Sequence, residues 1–260
     1  MTTARRYTTS ALVLGLLSFA TACGDDVDTP TDEDYEDIAQ GMAPLIRKEL
    51  AADGGLMLST RVAIGQAPGW LSIDASGEVH HGAVGSLSWD VSASCTDGSG
   101  NSDVACSETV SAAEVTSSLQ GTLRLPNYSA ELAADTDWSV NGLQSDTIVA
   151  MGRTNVHAET HFTGLFRPVT RSFELDFAAN YAVSMPHNAP ELASGALEAS
   201  IDAHRLVSGT NHDGEAHFRV DADVTLDGKG NAIVILDGSA TFQLDLRSGQ
   251  LVRVEGSVGR

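Results

Sequence analysis

"SLSWDVSASC", from Ser86 to Cys95, decides the fold. Leu87, Trp89, Val91, Ala93 and Cys95 fall on one side of an extended chain, and Ser86, Ser88, Asp90, Ser92 and Ser94 fall on the other. Side chains alternate across a strand with a period of two, so this run predicts a strand with one buried and one wet face. The same alternation recurs in "RSFELDFAANY", where Phe173, Leu175, Phe177 and Tyr181 oppose Ser172, Glu174 and Asp176. It returns in "ALEASIDAH", "EAHFRVDADV", "SATFQLDLR" and "LVRVE", and a further strand is predicted over Leu56 to Ile64. Turn clusters such as "DGSGNSD", "MPHNAPE", "SGTNHDG", "DGKGN" and "RSGQ" punctuate these runs.

The pattern predicts an all-β domain from about residue 55 to 260, an antiparallel meander of roughly ten strands. One-faced strands need a second layer, so the sheet should form a sandwich, or a curved sheet, with a short N-terminal helix packed on it. A membrane barrel would need large apolar residues and aromatic girdles on its outer face. Aromatic residues are only 5% of this chain, and many positions read as inward are Ala (Ala196, Ala199, Ala203, Ala216, Ala222), which argues against one.

The helix is read upstream. Thr31 with Asp34 makes a capping pair, and Tyr35, Ile38, Met42, Leu45 and Ile46 recur at helical spacing. Pro44 removes a backbone donor, so a kink or two pieces are expected near Gly41, with the helix spanning 38–54 and stopping at Gly54-Gly55. Ahead of it, "GDDVDTPTDEDYED" (Gly24–Asp37) carries eight carboxylates and no cation. It reads as a solvated tether over 23–37.

Arg5 and Arg6, the apolar Ala11–Ala20 and the small residues Ala20-Thr21-Ala22 make a secretory signal peptide over 1–22. This ten-residue, mostly apolar segment reaches about half of the roughly 20 residues a spanning helix needs. Ala20-Thr21-Ala22 followed by Cys23 resembles the lipobox of bacterial lipoproteins, with Ala20 where leucine is usual. The resemblance covers only this leader. It implies cleavage before Cys23, lipidation of that thiol, and an exported protein anchored to a membrane of the cell envelope, the outer membrane or the periplasmic face. Cys95 and Cys106 flank a glycine-rich turn and should pair in an oxidising compartment. Cys23 is then the odd cysteine, and thioether lipidation accounts for it.

Without residues 1–22 the chain keeps 238 residues, with 35 acidic side chains against 13 basic, net −22. Such a surface repels nucleic acid and anionic lipid head groups; nucleic acid is excluded as a partner, and charged partners are expected to be cations: divalent metals, basic peptides or amines. The partners left open are the membrane, through the N-terminal lipid, and a protein, glycan or small molecule.

Two constellations could carry chemistry. Asp97, Ser99, Asn101, Asp103 and Glu108 place oxygens at alternate positions of a twelve-residue stretch, similar to the calcium loop of an EF-hand. Ser102 stands where that loop needs glycine, and a hydrophilic hairpin tip closed by the disulfide is the simpler reading. His157, Glu159 and His161 project from one face of a strand and form a possible zinc set. Asp202 and His204 in one strand, with Glu215 and His217 in another, would enlarge the cluster if those strands lie side by side. Side chains two apart on a strand stand about 6.5–7 Å from each other, so a solvated polar face is again the simpler reading. No nucleophile elbow and no phosphate loop is present. The expectation is therefore a non-catalytic binding or envelope-associated module without a required cofactor. The alternatives are a metal-dependent hydrolase on the His and carboxylate face, or a calcium-stabilised adhesion or carbohydrate-binding module.

Overall fold

A computed structural model of the chain describes residues 28–50, 55–73, 79–102, 104–125, 128–163, 169–209 and 214–254. The signal segment, Cys23, the first part of the tether and Asp103 lie outside the described residues. Twelve antiparallel strands form one sheet in which each strand pairs with its neighbours in sequence. They are β1 (Leu71–Ile73), β2 (Val79–Val84), β3 (Leu87–Asp97), β4 (Val110–Leu125), β5 (Tyr128–Asn141) and β6 (Thr147–Thr163). The meander continues through β7 (Val169–Pro186), β8 (Ser194–Gly209), β9 (Gly214–Asp227), β10 (Asn231–Leu236), β11 (Ala240–Asp245) and β12 (Leu251–Arg253). The all-β meander and its N-terminal helix stand as expected, with one curved sheet in place of a sandwich.

Alternation explains why the sheet has an inside. In β9, Ala216, Phe218, Val220, Ala222, Val224 and Leu226 are buried, and every residue between them is exposed. Trp89, Val91 and Cys95 of β3 are buried in the same way. Of the alanines read as inward, Ala199, Ala203, Ala216 and Ala222 are buried, whereas Ala196 faces out because Leu197 takes the inner position beside it. Charged residues such as Glu215, Arg219 and Asp223 occupy the convex face, the opposite of a lipid-facing barrel wall.

Two helices lie within the curl. Helix α1 (Asp32–Leu50) is continuous and contains Pro44, so the helix does not divide into two pieces near Gly41. It also begins six residues earlier than the expected 38. Thr31 and Asp34 cap it: Asp34 N–H donates to Thr31 Oγ1 at 3.3 Å, and Thr31 N–H donates to Asp34 Oδ2 at 2.8 Å. Ile38, Met42 and Ile46 are buried on its inner face.

Helix α2 (Gly55–Ala63) corrects the strand expected over Leu56 to Ile64. Alternating Leu56, Leu58, Thr60 and Val62 suit a strand, but here Met57, Ser59 and Ala63 are buried as well. Arg61 is the one residue of this helix that is not buried, so almost no wet face marks its period and periodicity cannot tell its helix from a strand. Thr60 Oγ1 donates to the Leu56 carbonyl at 2.9 Å, one turn back. Cys95 and Cys106 form a disulfide that ties the end of β3 to the loop following it.

The sheet is bent strongly. Leu87 of β3 and Leu251 of β12 line one cavity, although nine strand spacings, about 43 Å on a flat sheet, lie between their strands. Glycines let long strands bend. Gly121 in β4 and Gly195 in β8 have φ of +141° and +139° and lie against partner carbonyls, where an added Cβ would meet Ser86 O and Ala182 O at 2.0 and 2.1 Å.

Candidate functional site

Curvature leaves a space between α1 and the inner face of the sheet, a cavity of ≈ 920 Å³. Its walls are apolar: Leu87, Leu119, Leu123 and Leu132 come from β3–β5, and Val156, Phe162, Phe177 and Tyr181 from β6 and β7. Phe242 and Leu251 close it from β11 and β12. Pro44 and Leu45 of α1 lie across it. Pro44 has no N–H, so the Gln40 carbonyl, four residues back at the same wall, lacks its usual helical donor. Thr154 is a polar residue of the strand wall, and its hydroxyl is taken by Thr136 Oγ1 at 3.0 Å. A volume at the upper end of the range of about 300–1,000 Å³ typical of small-molecule pockets, with mostly apolar walls, suits a ligand larger than water.

Charge gathers where α1 meets the β11–β12 turn. Arg253 donates to Asp32 Oδ1 at 2.7 Å and to Glu36 Oε1 at 3.0 Å, which neutralises it. Arg47, in the last turn of α1, donates from Nη2 to the Arg247 carbonyl at 3.0 Å. Gly249 makes room for that guanidinium, since a Cβ there would stand 3.0 Å from Nη1.

A second charged group ties the front of α1 to the sheet. Arg205 of β8 binds both carboxylate oxygens of Asp34. Arg171 of β7 binds Glu33, and its Nη1 donates to Asp37 Oδ2 at 2.8 Å. Asp34 and Asp37 are buried, so part of the segment expected to be a solvated tether is instead helix and packed. Burial raises the Asp37 pKa to about 7, helped by the charges of Asp34 and Glu36, with Arg205 opposing. Three carboxylates share two guanidiniums, so one of the acids lacks a full counter-charge.

On the convex face β6, β7, β8 and β9 do lie side by side, with His204 opposite His217. Instead of converging, the side chains form cross-strand pairs. His157 Nδ1 and Asp176 Oδ1 are 2.9 Å apart, a hydrogen bond that raises the imidazole's pKa. His161 Nδ1 meets Ser172 Oγ at 2.8 Å, and His204 Nε2 meets Glu215 Oε1 at 2.7 Å. Glu159 stands between Glu131 and Glu174 in the ladder. Among the described residues, no three His, Cys, Asp or Glu side chains are arranged to hold a metal ion.

The calcium-loop candidate closes on itself. Asp97 Oδ1 accepts from Ser99 N–H at 2.8 Å and Asn101 N–H at 3.0 Å, and Oδ2 accepts from Asn101 Nδ2 at 2.8 Å. Those bonds hold its pKa below the usual carboxylate range. Glu108 accepts from Gln66 Nε2 at 2.8 Å. The "DGKGN" turn at 227–231 repeats the arrangement: Asp227 takes Lys229 N–H, Asn231 N–H and Asn231 Nδ2 at 2.7, 3.0 and 2.9 Å. Two loops with one hydrogen-bond pattern point to a turn device shared by both hairpins.

No family model, curated protein or solved structure matches this chain. Among the described residues, no helix is long and apolar enough to cross a membrane. The cavity residues Leu119, Leu123 and Leu132, the cation Arg47 and the Asp34 and Asp37 pairs were not read as site residues in the sequence. The one available signal was the pair of buried-pattern arginines, Arg171 and Arg205, at strand positions otherwise reserved for apolar side chains.

Proposed function

We propose that this chain is an exported lipoprotein, anchored through Cys23, whose β domain is a non-catalytic module binding an apolar ligand between α1 and the sheet. The apolar cavity of ≈ 920 Å³ carries the reading. The titratable side chains at its wall are Glu36, Arg47, Tyr181 and Arg253, and the Glu36 carboxylate is held by Arg253. That wall is equipped for burying hydrocarbon rather than for moving protons. The leader and its lipobox-like end support export and anchoring at the cell envelope.

Binding is tested with N-phenyl-1-naphthylamine, a neutral probe that fluoresces when it leaves water. The natural protein should bind it saturably, and Leu123→Trp and Ala134→Trp, which fill the cavity, should weaken binding at least about tenfold while the circular dichroism stays native. Equal binding by natural and filled proteins refutes the cavity. Intact mass of the protein purified from membranes tests the anchor. An unmodified N-terminal Cys23 refutes lipidation and leaves the binding result unaffected.

A further inference from the structure

We infer that the ligand is a long-chain anionic amphiphile, a fatty-acid carboxylate, whose head is received by Arg47 at the α1 end of the cavity; the inference rests on the cavity reading above. Two cations line the cavity, and their states differ. Arg253 already faces Asp32 and Glu36. Arg47 has no carboxylate partner among the described residues, and its one hydrogen bond runs to the carbonyl of Arg247. Arg47 is exposed, and a guanidinium has five N–H donors in a planar fork, so most of this fork faces solvent and is open to a ligand. The carbonyl bond and the bare Gly249 beneath it hold the group in place at the rim. A planar fork matches a carboxylate through two parallel charge-assisted bonds.

The rest of the chain sharpens the selection. With 35 acidic and 15 basic residues, the protein repels anions that bring nothing else to the encounter. A cation with no carboxylate partner among the described residues, set at an apolar mouth, therefore selects for the combination of negative head and hydrocarbon tail. A tail entering past Leu45 and Leu251 meets Leu119, Leu123 and Phe242, all at the cavity wall. A cationic head would be repelled by Arg47, and Glu36 is already engaged by Arg253.

Dodecanoate, 1-dodecanol and dodecylamine share one chain and differ in head charge. Each is titrated at pH 7.5 and low salt into the full mature protein carrying N-phenyl-1-naphthylamine. Dodecanoate should displace the probe at about tenfold lower concentration than dodecanol, with dodecylamine no better than dodecanol. Arg47→Ala should abolish the preference for dodecanoate and leave dodecanol unchanged, and Arg47→Lys should keep part of it because it retains the charge without the fork. Acetate, an anion without a tail, should not compete. Equal displacement by all three ligands, or a preference that survives in Arg47→Ala, overturns the role of Arg47 while leaving an apolar site. A probe that binds but yields to none of the three overturns the amphiphile class, and a probe that does not bind overturns the cavity reading itself.

Discussion

Arg171 donates from Nη1 to Asp37 Oδ2 at 2.8 Å across 134 residues of chain. This contact joins α1 to β7 in a place with more acid than base, and burial pushes Asp37 up to about 7. An unfolded aspartate titrates near about 3.9, so between about pH 4 and 7 the folded protein holds a proton that the unfolded chain releases. The contribution of this group favours folding below about pH 4 and is lost as pH rises to about 7. Asp37→Asn, which mimics the protonated acid, should melt above the natural protein at pH 8 by at least about 2–4 °C, and the difference should vanish towards pH 4. Parallel melting curves across this range would refute the assignment.

Asp34 and Arg205 form the more deeply buried pair of the group, with the Asp34 side chain 2% exposed and that of Arg205 19% exposed. Removing one partner leaves a charge without compensation, at a cost of about 3 kcal/mol in Arg205→Met. Asp34→Asn combined with Arg205→Met should lose less than the sum of the single changes. Urea denaturation of the four proteins measures the coupling, and strict additivity would show that the two side chains act independently.

Gly195 sits in β8 at φ +139° with the Ala182 carbonyl in the space a Cβ would take. Gly195→Ala should cost about 1–3 kcal/mol through backbone strain. If the bend at this position shapes the cavity, the variant should also bind N-phenyl-1-naphthylamine more weakly at temperatures where it is fully folded.

Asp97 uses its carboxylate on Ser99 and Asn101. Calcium or a chelator should therefore leave the melting temperature unchanged, and Asp97→Ala should lower it by the same amount with calcium or without. A chelator-sensitive melting temperature would restore the calcium-loop reading.

Trp89 and Val91 show how much of the fold was legible. Where one face is wet, alternation names the strand and its inward side, and β9 keeps that pattern without an error. Leu56 to Ala63 shows where legibility stops, because a helix buried except at Arg61 has no polar face to mark its period. Asp34 and Asp37 read as solvated because their partners stand 171 and 134 residues away on strands whose register no local pattern gives. The cavity was the least visible feature. It is volume left by curvature, and the close backbone approach at single glycines such as Gly121 appears only against the neighbouring strand.

Among the described strands, β1 and β12 do not pair with each other, so no ladder fixes the circumference of the curl. Helix α1 takes that part, since Arg171 and Arg205 hold it to β7 and β8 while Arg253 holds it to β12. It works as a clasp across an open cuff. The girth of the space inside is then held by these ion pairs together with the apolar face of α1 (Ile38, Met42, Ile46), and not by a closing strand pairing among the described strands.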